Sequence, residues 1–405
     1  MGEKNLIVGQ SGGPSSAINA SLYGVIKQAW EEPKIEKVFG AIHGVEGLIN
    51  DDVADLAYLK GSDSFERLKF TPASFLRSCR HKLSEDDETE YKLIFETFKK
   101  YNIGYFFYIG GNDSMDTVSK LSRYADKIGY EIKIMGVPKT IDNDLTLTDH
   151  TPGFGSSAKY IATSVKEVIL DSAAYPAPMV TVMEIMGRHA GWLTAAAALA
   201  KDYDDHDDML IFLPENDFDT DSFIKEVKKR MEKNNKLLVA VSEGLHFSDG
   251  RLVCEGETSR ARDAFGHAAL SGCGQVVSEF IKENLNMRTR VIEFGTLQRC
   301  AAHFSSLTDL NESAQSGAYA VKSAVSGETG KMVAFKRESL DNYVITMALE
   351  DVHDICNKEK FFPEEWVTDD FFVTRDFYKY ALPIIAGEVE HVCENGIPVY
   401  PTLKK

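Results

Sequence analysis

Short apolar runs alternate with longer amphipathic ones along most of the chain. Residues 5–9, 105–109, 132–137, 179–185, 236–241 and 344–349 are almost continuously apolar and read as strands. Residues 18–30 and 115–121 carry helical spacing behind the first two of these runs. Strands without a polar face are buried on both sides. Their alternation with helices predicts an α/β fold, a mostly parallel sheet with helices on both faces. With 405 residues the chain is long enough for two lobes of roughly 150–200 residues each. No internal repeat or low-complexity linker interrupts the pattern. The acidic tracts 84–90, 202–208 and 214–221 read as solvated surface segments.

Composition narrows the function classes. No apolar run approaches the roughly 18–20 residues that span a bilayer. The first residues, MGEKNLIVGQ, have neither a basic start before an apolar stretch nor a myristoylation pattern, so the expectation is a cytoplasmic protein. Cys79, Cys254, Cys273, Cys300, Cys356 and Cys393 are scattered without paired spacing, and are expected as reduced thiols rather than a disulfide frame or zinc site. The net charge of −17 argues against a nucleic-acid or membrane-surface partner. Should the substrate be a phosphate, the site must be locally basic, or rich in backbone N–H groups, against that background.

In an open α/β sheet ligands bind beyond the carboxyl ends of the strands, so the loops that follow strands are the informative ones. Three stand out. The first, GQSGGPSS (9–16), pairs adjacent glycines with a helix start, which suits close approach of an anion to backbone. It is neither a Gly-Lys-Ser/Thr phosphate loop nor the GxGxxG pattern of a dinucleotide site. The second, GGNDS (110–114), repeats that logic. The third, PKTIDND (138–144), places two carboxylates two residues apart with an amide between them and a lysine just before. Asx turns alone would account for any one of these loops. Three after three strands point to a site.

At this point the residues carry a resemblance. SGGP, GGNDS, PKTIDND, TPGFGSSA, MEIMGR, VSEG and FGTLQR occur in the order found in the phosphofructokinase family, across about three quarters of the chain, from Gly9 to Arg299. PKTIDND together with MEIMGR is the specific part. The resemblance implies two Rossmann-like three-layer lobes with the active site in the cleft between them. Residues 1–153 with 298–360 would form the donor lobe, and residues 154–297 with 361–405 the sugar-phosphate lobe. It implies a phosphotransferase of glycolysis and gluconeogenesis that uses Mg²⁺. Residues beyond about 310 carry no recognisable motif.

The roles implied by the resemblance follow residue by residue. Asp142 is the base for the C1 hydroxyl of fructose 6-phosphate, and Asp144 the supporting carboxylate near metal and hydroxyl. Thr140 contacts the sugar or the transferring group, and Arg80 clamps that group. Gly12, Gly13, Gly111, Asn112, Asp113 and Ser114 cradle the donor, with Asp113 and Asn112 nearest the metal. Met186, Gly187, Arg188, Glu243 and Arg299 hold the sugar phosphate. Arg290 matches an arginine that reaches a neighbouring subunit's site, which implies a homodimer or homotetramer.

ATP-using relatives have glycine at the positions of Asp113 and Lys139. A carboxylate at Asp113 adds bulk and charge where a nucleotide's next phosphate would lie, and an ammonium at Lys139 suits pyrophosphate. Both resemble the pyrophosphate-dependent branch. The expected reaction is therefore near-reversible, from fructose 6-phosphate and pyrophosphate to fructose 1,6-bisphosphate and phosphate. Three positions depart from the pattern: Asn112 for an aspartate, Thr296 for a histidine and Met179 for a second cross-subunit arginine. A related acceptor such as sedoheptulose 7-phosphate stays open. The rival readings are an ATP-dependent kinase and a non-catalytic regulatory subunit of the same fold.

Overall fold

In the computed structural model, residues 4–255 and 272–404 are described. Eleven strands build the two main sheets. They are β1 (Lys4–Gln10), β2 (Ile35–Ala41), β3 (Val53–Asp55), β4 (Ile103–Gly110), β5 (Lys133–Pro138), β6 (Met179–Ile185), β7 (Met209–Phe212), β8 (Lys236–Ser242), β9 (Thr289–Glu293), β10 (Lys331–Arg337) and β11 (Ile345–Asp351).

The first sheet runs β11-β10-β5-β4-β1-β2-β3 and the second β7-β8-β6-β9. Pairing is parallel except at β2–β3 and β10–β11, the two edges of the larger sheet. The apolar run at 344–349 is thus a strand, but an antiparallel edge strand.

Within the buried strands the residues still alternate between two cores. Leu6, Val8, Tyr105, Phe107, Met135 and Val137 face one side of the larger sheet, under helices Ile18–Glu31 and Leu307–Ser326. Ile7, Phe106, Tyr108 and Ile134 face the other, against helices Thr89–Lys100 and Asn112–Ile128. The second sheet repeats this, with Met183, Ile185, Leu238 and Ala240 on one face and Val180, Val182, Leu237 and Val239 on the other. A period of two inside an unbroken apolar run is how one strand serves two layers. Truncating a side chain such as the fully buried Phe107 to alanine would cost about 3–5 kcal/mol.

The chain crosses between sheets more than once. Residues 4–138 and 331–351 supply the larger sheet, residues 179–293 the smaller. Helix Arg375–Ile384 then packs Phe377, Tyr380, Ala381 and Ile384 onto the core beneath the smaller sheet. Among the described residues, no helix is long and apolar enough to cross a membrane.

The acidic tract at 84–90 is largely exposed, as expected. The tract at 214–221 is not wholly so. Glu215 turns inward, where its carboxylate accepts from the N–H groups of Gly191 at 2.8 Å and Phe362 at 2.7 Å. The six cysteines are all free thiols.

Candidate active site

The carboxyl ends of β1, β4 and β5 open toward those of β6 and β8, and the loops between them line a cleft. Loop 11–16 begins it. Gly12 has φ of +73°, a left-handed conformation that favours glycine, and a Cβ there would stand 3.3 Å from Lys139 Nζ. A Cβ on Gly13 would stand 3.3 Å from an Arg299 guanidinium nitrogen and 4.0 Å from one of Arg80. The glycines therefore let three cations close on the loop. The N–H of Gly12 is already committed to Cys79 O at 3.0 Å, so the loop works through packed side-chain cations more than as a bare backbone cradle.

The second loop is stitched to the first, since the Ser114 and Ser11 hydroxyls are hydrogen-bonded to each other. Gly110 has no room for a side chain, because a Cβ would lie 1.9 Å from Ser114 Oγ. Asn112 opens helix Asn112–Ile128, and its side chain points along an unexpected line. Its Oδ1 accepts from Asn357 N–H at 2.7 Å, and its Nδ2 donates to the Lys358 carbonyl. Both atoms of the amide are thus engaged by residues 357–358. Asp113, beside it, keeps a half-exposed carboxylate 4.0 Å from Lys82 Nζ.

The third loop is held most tightly. Lys139 is buried, donates through Nζ to Gly13 O at 2.7 Å, and bonds through its own N–H to Gly110 O at 3.0 Å. Asn143 takes φ of +56° and faces inward. Its amide donates to Tyr380 Oη at 2.8 Å and accepts from Thr151 N–H at 3.1 Å and Lys360 Nζ at 3.3 Å. The residues on either side, Asp142 and Asp144, are thereby turned toward the cleft. Lys360 adds Nζ bonds to Thr148 O at 3.2 Å and Asp149 O at 2.8 Å, and its own N–H reaches Asp144 O at 2.7 Å.

The other side of the cleft forms beyond β6 and β8. Gly187 N–H lies 3.5 Å from Glu243 Oε1, and Met186 N–H donates to Gln298 Oε1 at 3.1 Å. Ser242 hydroxyl donates to Gly187 O.

Together these side chains line a cavity of about 280 Å³ where Asp142, Asp144, Arg80, Lys139, Arg188, Glu243 and Arg299 converge. A second cavity of about 510 Å³ adjoins it and is lined by Gly12, Gly13, Gly111, Asn112, Asp113 and Ser114. The local basicity that a charge of −17 demanded is present in Lys139 and the three arginines.

Burial shifts the titrating groups. It raises the Asp142 carboxyl above its usual range, against the opposing pull of Lys139 and Arg188. Burial, then the charge of Asp142, pushes Asp144 to about 7, and the same two causes push Glu243 to about 7. Burial brings Lys139 down to about 8, which leaves it mostly cationic at neutral pH.

The residues fit a divalent cation only in part. Asp144 Oδ1 is buried without a hydrogen-bond partner, the kind of oxygen a cation would satisfy. Among the described residues no three His, Cys, Asp or Glu side chains converge as a preformed metal cage. Mg²⁺ itself usually keeps waters and takes one or two carboxylates plus substrate phosphates. Asn112 is turned from that role by its bonds to residues 357–358.

Arg290 stands apart. It pairs across β6–β9 with Thr181, five residues before Met186, which places it about 17 Å along the strand from its own cleft. There it bonds Asp171 at 2.8 Å and lines a separate hollow with Tyr175, Pro178, Met179 and Arg288. Thr296 is exposed.

Sequence reasoning missed Glu359 and Lys360, both from the motif-free tail. Its one local signal is a run of charges, 358–360, set against two phenylalanines.

A family model described as phosphofructokinase matches residues 5–324. The pyrophosphate–fructose 6-phosphate 1-phosphotransferase of Halomonas elongata is 38% identical over 100% of this chain and 97% of its own. That of Methylococcus capsulatus is also 38% identical, over 100% and 96%. The crystal structure of a pyrophosphate-dependent phosphofructokinase from Nitrosospira multiformis superposes with a TM-score of 0.89. It has 36% identity, with 99% of this chain and 97% of that one covered.

Proposed function

The chain belongs to the phosphofructokinase family, and from that premise we propose how its cleft divides the work. The enzyme transfers a phosphoryl group from pyrophosphate to the C1 hydroxyl of fructose 6-phosphate, reversibly, releasing phosphate and fructose 1,6-bisphosphate. The observation that carries the donor assignment is Lys139. Its buried ammonium lies against Gly12 and Gly13, at a position where the resemblance gives ATP-using relatives a glycine.

Phosphoryl transfer asks the protein for alignment, cations on the developing charge and a base for the nucleophile. Asp142 takes the C1 hydroxyl proton as the new bond forms, and Asp144 supports it. A carboxyl raised by its surroundings holds that proton more firmly than a free one would, which also serves the reverse reaction. Lys139 and Arg80 hold the pyrophosphate oxygens, and Arg299 offers its planar fork to the sugar's 6-phosphate. Glu243 accepts from sugar hydroxyls, with Arg188, Met186, Gly187 and Thr140 completing the acceptor contacts. Mg²⁺, when bound, neutralises the donor oxygens and the leaving phosphate. Asp144, with Asp113 at the rim, is the residue set that would hold it.

Residues 1–153 with 298–360 form the donor lobe in this reading, and 154–297 with 361–405 the acceptor lobe. Arg290, too far from its own cleft to serve it, completes the acceptor site of a second copy, and the working unit is a cytoplasmic homo-oligomer. The deciding experiment mixes the purified protein, fructose 6-phosphate and Mg²⁺ with either pyrophosphate or ATP and follows fructose 1,6-bisphosphate. Product with pyrophosphate alone is expected. Product with ATP alone would overturn the donor assignment.

A further inference from the structure

The matched family pattern ends at residue 324, yet residues 357–361 form one wall of the larger cavity. Asn112, one of the residues that depart from the resemblance, is one of their anchors, beside the bonds that Lys360 makes to Asp144, Thr148 and Asp149. Its amide accepts from one backbone group, Asn357 N–H, and donates to the next, the Lys358 carbonyl. An aspartate could make only the first bond and would face the carbonyl with a second oxygen. The amide at 112 is therefore explained by the segment it secures.

That fastening sets two carboxylates on one cavity, Asp113 next to Asn112 and Glu359 next to Lys358. Glu359 is oriented by His189, whose Nδ1 lies 3.0 Å from its carboxylate. The side chains of Asp113 and Glu359 are each 37% exposed, whereas Lys139 is 3% exposed. Lys139 thus lies on the floor and the two carboxylates at the rim, where Lys82 stands 4.0 Å from Asp113 and His189 3.0 Å from Glu359. A volume of about 510 Å³ falls in the range that admits drug-sized ligands, so size alone does not keep a nucleotide out. Charge does. A donor short enough to stay on the floor meets Lys139 and Arg80. A longer one must carry further negative charge past the rim, where like-charge juxtaposition is costly.

We propose that residues 357–361, fastened by Asn112, are the outer wall of the donor site, and that Glu359 is a specificity-determining residue that, with Asp113, rejects donors longer than pyrophosphate. This rests on the pyrophosphate reading above. The test uses the full chain with Mg²⁺ and fructose 6-phosphate, and compares kcat/KM for pyrophosphate, inorganic tripolyphosphate and ATP. Glu359→Gln keeps the shape and removes the charge. It is expected to raise the tripolyphosphate-to-pyrophosphate ratio about tenfold, while Glu359→Asp restores most of the discrimination. Asn112→Asp, which breaks half of the fastening, should move the ratio the same way, and decides the matter should Glu359→Gln fail to fold.

A ratio unmoved within about twofold in a variant with normal thermal stability would overturn the wall's role and leave the pyrophosphate reading standing. A wild-type protein that prefers ATP would remove that reading and this proposal with it.

Discussion

Loop 139–151 and the surface around Arg290 both carry charged side chains, and they hold them in opposite ways. The loop is held from behind at nearly every turn. Asn143 has three partners, Lys360 reaches three oxygens through one ammonium, and Thr151 Oγ1 donates to Thr140 O at 2.7 Å. Arg290 has one ion pair, to an aspartate that is itself mostly exposed, and its own side chain is 40% exposed. A lone surface pair contributes little, on the order of 0–1 kcal/mol, and does not fix a guanidinium for binding. The loop is preorganised by its own chain. The Arg290 guanidinium has no comparable set of bonds among the described residues.

Four measurements break or sharpen that contrast. The largest effect is expected from Asp142→Ser, which should lower kcat by about three powers of ten or more while leaving fructose 6-phosphate affinity, measured by calorimetry, nearly intact. A large loss of binding at normal turnover would instead make Asp142 a substrate contact. Next comes Lys360→Met, which touches no substrate. It removes a donor from three oxygens. Thr148 O, which among the described residues has no second donor like those of Asn143 and Asp149, is left to bear a cost of about 1–3 kcal/mol. The loop should loosen, with kcat down roughly 10–100-fold, little change in sugar-phosphate KM, and a lower unfolding temperature. An unchanged kcat would mean that the loop holds its shape without the latch.

Arg290→Ala should act in the other column. KM for fructose 6-phosphate is expected to rise about tenfold, with kcat within about twofold and the molecular mass by light scattering unaltered. No change in KM would remove the second copy from the acceptor site.

The smallest effect is in the pH profile. Because kcat/KM reports the free enzyme, its value for pyrophosphate should fall above pH about 8, as Lys139 loses its proton and its charge. In Lys139→Met the remaining activity should lack that limb beyond what pyrophosphate's own ionisation produces.

How much of this was legible beforehand follows the same division. The strands read from sequence were those with unbroken apolar runs, such as 103–110. β2 carries exposed Glu36 and Lys37 after Ile35, β9 is nowhere fully buried, and β10 ends in Lys336 and Arg337, so polar positions hid these three. β7, though apolar throughout, is only 4 residues long. The three loops were legible because glycine pairs and closely spaced carboxylates are rare outside sites. Glu359 and Lys360 were not. The contacts around them run largely through backbone groups of Asn357, Lys358, Thr148 and Asp149, which any residue can offer and no motif records. The departure at Asn112 was visible, but its reason lay 245 residues away.

The latch at Lys360 also dates the moment at which the enzyme comes into being. It bonds Asn143 across 217 residues, a stretch that a ribosome takes on the order of 10–40 s to add. Throughout that interval the loop has been synthesised but lacks the ammonium that ties Asn143 to the carbonyls of Thr148 and Asp149. A chain whose translation stalls anywhere in that window therefore carries the loop without its latch.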